Sequence, residues 1–215
     1  MPTALCATVT GSSTDALVAA RDAAAGADLV ELRLDGVDRP DAAAALAGRR
    51  ARVIVTCRPA WEGGAFDGGE EARERILTAA LDAGADFVDV EFAAAFRGRL
   101  VARAADRVVV SFHDFAGVPA DLAQRFAAMR GSGAAVVKIA VMARRLCDQL
   151  PVFALAASLP PGDRHGLLAM GEGGAATRVL GARLRNEWSY AGQAVAPGPL
   201  SAAEMSELFP RGAES

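Results

Sequence analysis

The sequence predicts an α/β fold, a parallel eight-stranded (β/α)8 TIM barrel formed by residues 1–215 as a single domain. Strand-like and helix-like segments alternate along the whole chain at spacings of roughly 20 to 35 residues, which is typical of repeated βαβ units. The length of 215 residues fits eight such units, somewhat below the ~250 residues usual for a barrel. An open doubly wound sheet is the alternative. No G-x-G-x-x-G motif follows the first strand, so a dinucleotide-binding site lacks support.

The predicted strands are short apolar runs, many of them rich in β-branched residues. In chain order they cover residues 5–9, 28–35, 52–58, 86–91, 107–113, 135–142, 166–170 and 188–191. The predicted helices run from Ser13 or Thr14 to Gly26, over 40–48, 70–83 and 94–104, from Pro119 onward, over 146–157, from Ala175 onward, and from the capping box Ser201–Glu204. Each strand is therefore followed by a helix that can return the chain to the same end of a parallel sheet.

Composition excludes several classes of function. The net charge is −3 and no Lys/Arg-rich block occurs, so neither a nucleic acid nor a membrane surface is expected as a partner. A hydrophobic fraction of 52% promises a sizeable core. No apolar run approaches the ~20 residues of a membrane span, and residues 1–6 lack the basic flank of a signal peptide. We therefore expect a cytoplasmic protein.

The cysteines and histidines give no sign of a metal site. The three cysteines, Cys6, Cys57 and Cys147, are odd in number and form no CxxC pair, which indicates reduced thiols. Only two histidines occur, and neither lies near a cysteine in the sequence. His165, beside Arg164 at the start of a strand, is expected to be structural or exposed to solvent.

Charged side chains alternate with apolar ones within the predicted strands, so that each strand has one apolar and one polar face. The polar face carries Glu31, Arg33 and Asp35 in strand two, Thr56 and Arg58 in strand three, Asp89 and Glu91 in strand four, Ser111 and His113 in strand five, and Lys138 in strand six. An antiparallel sheet with its polar face in water is the alternative. The intervening helices favour a barrel whose charged face points inward, where active sites form at the C-terminal mouth.

Lys138 is the most informative of these residues. Of the 23 lysine and arginine residues it is the only lysine, and it lies within a run of apolar residues. An arginine stays protonated, whereas a desolvated lysine can lose its proton and attack a carbonyl. The alternative is a lysine that extends from an edge strand to solvent.

The residues around Lys138 suggest carbonyl chemistry. A neutral amine condenses with a ketone to an imine, and the protonated imine acidifies the adjacent C–H bond. His113 is suited to remove that proton. Glu91 or Asp89 could orient the imidazole. Arginines at positions 33, 58 and 178 offer bidentate sites for a carboxylate or for hydroxyls.

Six motifs together resemble the type I 3-dehydroquinate dehydratase family. They are Glu31-Leu-Arg-Leu-Asp35, Thr56-Cys-Arg-Pro59 with Glu62-Gly-Gly64, Phe87-Val-Asp-Val-Glu91, Ser111-Phe-His-Asp-Phe115, Val137-Lys-Ile-Ala-Val-Met142 and Ala196-Pro-Gly198. The resemblance implies a metal-free (β/α)8 catalytic domain without a cofactor, acting as a homodimer in the shikimate pathway. It also implies the dehydration of 3-dehydroquinate to 3-dehydroshikimate, a hydro-lyase reaction that passes through a lysine Schiff base.

The same resemblance implies roles for individual residues. Lys138 matches the Schiff-base residue, His113 the general acid/base, and Glu91 the acid that supports the histidine. The positions that match substrate-binding residues are Glu31, Arg33, Arg58, Arg178 and Thr8. Arg178 matches the residue that anchors the carboxylate, and Thr8 stands where the family often has serine. The chain departs from the family at Val195 and Pro199, where serine and glutamine are usual, which places lid closure in question.

Two other functions remain open at this stage. A class I aldolase is also an imine-forming barrel with a strand lysine, but it breaks a C–C bond. A non-catalytic paralogue that binds a related ligand would be consistent with the altered loop at Val195 and Pro199. Turnover of 3-dehydroquinate to a conjugated enone would distinguish the dehydratase from both.

Overall fold

Eight parallel strands follow one another around a barrel in the computed structural model, which describes residues 3–24 and 26–191. The strands are β1 (Ala4–Val9), β2 (Leu29–Arg33), β3 (Arg52–Thr56), β4 (Phe87–Glu91), β5 (Val108–Asp114), β6 (Val136–Met142), β7 (His165–Met170) and β8 (Trp188–Ala191). Their order in the sheet is β7-β6-β5-β4-β3-β2-β1-β8. All pairings are parallel, and β1 pairs with β8. The predicted TIM barrel is confirmed, and the doubly wound and antiparallel alternatives are wrong.

The two ends of the sheet, β7 and β8, meet through a side-chain amide. Asn186 accepts a hydrogen bond from the backbone N–H of Leu167 at 2.9 Å and donates one to its carbonyl at 3.0 Å. The backbone N–H of Glu187 donates to the carbonyl of His165 at 2.8 Å. The Asn186 amide thus supplies the donor and acceptor that a neighbouring strand would offer, and the barrel is nearly closed.

Helices on the outside connect successive strands. They are α1 (Thr14–Ala23), α2 (Ala42–Leu46), α3 (Glu70–Asp82), α4 (Arg97–Ala104), α5 (Leu122–Arg130), α6 (Leu150–Ser158) and α7 (Ala175–Val179). The side chain of Ser13 accepts a hydrogen bond from Ala16 and caps α1, as predicted. A 3₁₀ turn, Leu146–Gln149, precedes α6. Pro151 lies in the first turn of α6, where a missing N–H does not interrupt the helix.

Strand alternation separates two buried layers. The outward-facing residues, such as Val55, Val90 and Val110, pack against helix residues in one large core. The inward-facing apolar residues, among them Ile54 and Val109, fill the lower barrel interior in a second cluster. Side chains further along the same inward face are polar. The predicted polar and apolar faces are confirmed, and the barrel therefore has an apolar floor with charged groups above it.

The thiols and the second imidazole lie outside the charged layer of the barrel. Cys6 and Cys57 are buried and Cys147 is exposed, and all three are free. His165 is buried, with its ring nitrogens 2.9 Å from the carbonyl oxygens of Asp163 and Leu184. The structural role predicted for His165 is confirmed, whereas its exposure to solvent is wrong. Within residues 3–24 and 26–191, no helix has the length and apolar character needed to cross a membrane.

Several sequence predictions fall outside the described residues. These are the helix that begins at the capping box Ser201–Glu204, the Ala196-Pro-Gly198 motif and the departures at Val195 and Pro199.

Candidate active site

A pocket opens at the C-terminal ends of the barrel strands, the position at which barrel enzymes place their active sites. Its empty volume, including the open mouth, is about 690 Å³. The lining residues come from most of the strands and from the loop after β3: Thr8, Glu31, Arg33, Arg58, Glu62, Gly63, His113, Phe115, Lys138, Ala140, Leu168, Met170, Arg178, Tyr190 and Ala191. All of the predicted site residues except Glu91 therefore line one pocket.

Lys138 lies inside the barrel on β6 and is only 5% exposed, so it does not extend from an edge strand to solvent. Its Nζ atom is 3.1 Å from Oδ2 of Asp89 and 3.7 Å from Oε1 of Glu31. The same atom lies 4.5 Å from the centre of the Tyr190 ring. The amine is thus held between two carboxylates and an aromatic face at the base of the pocket.

Asp89 connects Lys138 to the neighbouring strands. Its Oδ1 atom accepts hydrogen bonds from Nη2 of Arg58 at 2.9 Å and from Oγ of Ser111 at 2.6 Å. Burial alone would raise the pKa of Asp89, but Arg58 and Lys138 outweigh burial and hold that pKa well below its usual range. Asp89 is therefore a permanent anion that fixes both cations.

His113 is oriented by a carboxylate from the loop after β3. Nδ1 of His113 lies 2.9 Å from Oε1 of Glu62, and the backbone N–H of His113 donates to the same oxygen at 3.0 Å. The ring of Phe115 stacks against the imidazole, with 6.4 Å between centroids and an interplanar angle of 16°. Because Nδ1 is engaged, Nε2 is the nitrogen left for proton transfer in the pocket.

The loop that carries Glu62 folds tightly because two glycines follow it. Gly63 has φ of +78°, and a Cβ there would lie 2.5 Å from the Phe115 ring. A Cβ on Gly64 would lie 2.0 Å from the carbonyl oxygen of Arg58. The Glu62-Gly63-Gly64 sequence is therefore a geometric requirement for turning the glutamate toward the barrel.

Glu91 occupies a different place from the one that the sequence suggested. Its Oε1 atom accepts a hydrogen bond from Nη1 of Arg58 at 2.5 Å, and its Oε2 atom lies 2.8 Å from Nη2 of Arg73. Among the described residues, the carboxylate against the imidazole of His113 is that of Glu62. Sequence reasoning missed Glu62 as a site residue, although the Glu-Gly-Gly motif marked its position. Glu91 does not line the pocket and instead supports Arg58 from outside it.

Burial shifts the pKa values of the His113–Glu62 pair in opposite directions. Burial, followed by the positive charges of Arg58 and Lys138, lowers the pKa of His113 well below its ordinary value. Burial raises the pKa of Glu62 to about 8, against the opposing effect of Arg58. Both shifts favour a neutral imidazole near pH 7, which is the form that accepts a proton.

The predicted substrate-binding residues on the first strands form a hydrogen-bonded group. Oγ1 of Thr56 donates to Oε1 of Glu31 at 2.6 Å, and Oγ1 of Thr8 donates to Oε2 of Glu31 at 3.4 Å. Arg33 forms a bidentate pair with Asp35, with both distances 2.7 Å. The pairs leave polar atoms of Glu31 and Arg33 along one wall of the pocket, where hydroxyl groups could bind.

Arg178 belongs to α7 and takes no part in this hydrogen-bonded group. It is 5% exposed, and burial lowers the pKa of its guanidinium. No acceptor within residues 3–24 and 26–191 pairs with it. A buried guanidinium without an anionic partner in the described part of the chain is suited to bind an anionic group of a ligand. The described residues contain no cluster of three or more His, Cys, Asp or Glu side chains arranged to hold a metal ion.

Comparisons with known proteins agree on one family. The family model described as type I 3-dehydroquinase matches residues 5–210. A 3-dehydroquinate dehydratase of Syntrophobacter fumaroxidans is 36% identical over 207 residues, covering 86% of this chain and 86% of that protein. One of Desulfotalea psychrophila is 31% identical over 201 residues, covering 86% of this chain and 88% of that protein.

A solved structure gives the same result. The crystal structure of 3-dehydroquinate dehydratase from Geobacillus kaustophilus superposes with a TM-score of 0.85 at 26% identity, covering 96% of this chain and 90% of that one. The sequence match, the superposition and the barrel agree. The chain therefore belongs to the type I 3-dehydroquinase family of hydro-lyase enzymes.

Proposed function

We propose that this protein is a 3-dehydroquinate dehydratase of the shikimate pathway that works through an imine on Lys138. One observation carries the mechanism: the only lysine of the chain is buried in the same pocket as His113, the histidine that Glu62 orients. Such an arrangement suits a lysine that forms a covalent intermediate and a histidine that moves protons beside it.

The reaction begins when Lys138 gives up a proton to His113 and its neutral amine attacks the ketone carbon of the substrate. The same proton then returns to the hydroxyl of the adduct, which leaves as water, and a protonated imine remains. His113 then removes a proton from the neighbouring carbon, and the electron pair moves into the imine to give an enamine. The enamine expels the hydroxyl one carbon further on, His113 returns its proton to that hydroxyl, and water leaves. Hydrolysis of the conjugated imine consumes one water, frees Lys138 and releases the product.

The remaining charges of the pocket bind the substrate. The guanidinium of Arg178 takes the carboxylate in this proposal, which its lack of an anionic partner in the described chain supports. The group of Glu31, Arg33 and Thr8 offers donors and acceptors to the hydroxyls, and Arg58 lies between these residues and His113. Substrate held at both ends keeps its carbonyl over Lys138, and proximity of this kind accounts for much of the rate of such reactions.

Reductive trapping tests the mechanism. Borohydride with 3-dehydroquinate should add one ligand mass to the peptide containing Lys138, and Lys138→Met should abolish both trapping and turnover. Because no other lysine exists, the only competing amine is the N-terminus. Trapping at the N-terminus, or normal turnover by Lys138→Met, would refute the mechanism. Cleavage of a C–C bond in place of dehydration would favour the class I aldolase, and binding without turnover the non-catalytic paralogue.

We further propose that residues 1–215 act as one catalytic domain, as a cytoplasmic homodimer. The free state of all three cysteines supports a reducing compartment. Leu146 and Leu150 are 70% and 63% exposed, and apolar side chains of this size on a surface support association with a second copy. Sedimentation equilibrium measures the mass in solution, and a monomer at micromolar concentration would contradict the dimer.

A further inference from the structure

We propose that Arg73 is a positioning residue for the reaction, although it lies outside the pocket. On this view Arg73 holds Glu91 and the Trp61–Glu62 turn in place, and through them it sets Arg58 and Glu62. The proposal rests on the function proposed above, since its kinetic arm measures dehydration of 3-dehydroquinate.

Arg73 is buried in an unusual way for an arginine on a surface helix of the barrel. It belongs to α3, and its side chain is completely inaccessible to solvent. The centre of its guanidinium lies 5.1 Å from the centroid of the Phe96 ring and 5.5 Å from that of Trp61. The cation is therefore bordered by two aromatic rings, an arrangement that stabilises a desolvated positive charge.

The packing of α3 alone does not account for this arginine. Nε and Nη1 of Arg73 are buried and have no hydrogen-bond acceptor among the described residues. Burying a charge with unpaired donors is costly, and an apolar side chain of similar volume would fill the same space without that cost. The compensation comes from charge attraction, since Nη2 forms ion pairs with the carboxylates of Glu91 at 2.8 Å and Glu70 at 3.3 Å. Oε2 of Glu91 has no hydrogen-bond partner among the described residues, so its contact with Arg73 is an ion pair only.

The contact with Glu91 leads into the active site. Glu91 is completely buried, and its two oxygens face two different arginines, Oε1 toward Arg58 and Oε2 toward Arg73. The other terminal nitrogen of Arg58 binds Asp89, which in turn contacts Lys138. Arg73 thus fixes the outer end of an unbroken chain of charges whose inner end is the nucleophile. Without it, Glu91 would have a single counter-charge and greater freedom to rotate.

The contact with Trp61 leads to the same site by a second route. Trp61 and Glu62 are consecutive residues of the 3₁₀ turn Ala60–Glu62, so the position of the indole constrains the position of the glutamate. Trp61 is 54% exposed, so the contact of its ring with the guanidinium of Arg73 is a specific contact that holds the indole in place. Glu62 is the carboxylate that orients His113. Arg73 therefore contacts both Glu91, which binds Arg58, and Trp61, which precedes Glu62.

The kinetic test compares Arg73→Met, Arg73→Lys and the control Arg75→Met. Arg75 lies on the same helix and is exposed. We expect Arg73→Met to lower kcat by about tenfold to a hundredfold, the range for a small misplacement of catalytic groups, with Lys138 still trapped by borohydride. Arg73→Lys should keep kcat within about threefold, because the charge between Glu91 and the rings is retained. Trp61→Ala should also lower kcat, without touching the buried ion pair.

A spectroscopic test is independent of the reaction. The emission of Trp61, taken as the difference between wild type and Trp61→Phe, should shift and become more accessible to acrylamide in Arg73→Met, but not in Arg75→Met. A folded Arg73→Met with unchanged kcat and unchanged Trp61 emission would overturn the proposal. Equal losses of kcat in Arg73→Met and Arg73→Lys would do the same. If wild type fails to dehydrate 3-dehydroquinate, the proposed function is refuted, and the Trp61 emission alone decides the role of Arg73.

Discussion

Replacing Glu62 by glutamine separates the role of its ionisable carboxyl group from that of its shape. Glutamine keeps the volume and one carbonyl oxygen, so the turn can still close over the pocket. The substitution removes the titratable carboxyl group whose Oε1 lies 2.9 Å from Nδ1 of His113. We expect kcat to fall by about tenfold to a hundredfold because the imidazole loses its fixed orientation. Imine trapping at Lys138 should persist, because Glu62 does not contact the amine.

The same variant should change how stability depends on pH. Burial raises the pKa of Glu62 from its ordinary value of 4.5 to about 8, so between these values the folded protein holds a proton that the unfolded chain releases. The contribution of Glu62 to stability is full below pH 4.5 and is lost as pH rises toward 8. With about 1.36 kcal/mol for each pH unit, the loss is of the order of 4 to 5 kcal/mol. The glutamine of the Glu62→Gln variant does not titrate, so the variant escapes this loss.

Urea unfolding of both proteins between about pH 5 and pH 8.5 measures this difference. The unfolding free energy of Glu62→Gln relative to wild type should increase with pH and level off above about pH 8. The lowered pKa of His113 makes the unfolding free energy rise with pH in the acid range. Because His113 is present in both proteins, this effect largely cancels in their difference. Glu71→Gln, an exposed control in the first turn of α3, should change neither kcat nor the slope. A Glu62→Gln protein with normal kcat and a pH profile parallel to wild type would refute the reasoning.

Three further variants test the remaining residue roles that the sequence predicts. His113→Ala should form the imine but lower kcat by roughly 10²- to 10⁴-fold, as stopped-flow and trapping would measure, and near-normal kcat would reassign the base. Arg178→Ala should raise KM by about 10- to 150-fold through loss of a charge-assisted pair, whereas the exposed Arg183→Ala should not, and an unchanged KM would indicate a structural role. Val195→Ser with Pro199→Gln should lower KM by about tenfold if one net hydrogen bond is regained, and an unchanged or raised KM would show that other residues make those contacts.

The fold and most of the site could be predicted because alternate residues of a strand point to opposite faces of the sheet. Helices cover the outer face of a parallel barrel strand, so that face is apolar. Charged residues on the other face then indicate that this face encloses a site. The alternation in residues such as Arg33, Asp89 and Lys138 therefore indicated which side chains meet inside the barrel. Segments of β structure have fixed periodicity, so their inward faces follow from the sequence alone.

The orientation of the histidine could not be predicted in the same way. Glu91 and Asp89 lie on a strand near His113, whereas Glu62 lies on a loop, where parity gives no information. The loop turns back because Gly63 adopts a positive φ and Gly64 leaves room for a backbone carbonyl. Composition reveals that glycines are present but not where the turn directs the preceding side chain. The result is that Glu62 was missed and Glu91 was assigned its contact.

The single lysine allows the active-site amine to be observed selectively by NMR after isotope labelling. A sample grown with ¹³C- and ¹⁵N-labelled lysine contains one side-chain amine, that of Lys138, enclosed by Asp89, Glu31 and Tyr190. Its one set of resonances needs no assignment and reports directly on protonation, on imine formation and on release of product. The covalent state of the nucleophile can therefore be followed without altering the chain, because the remaining 22 of the 23 lysine and arginine residues are arginine.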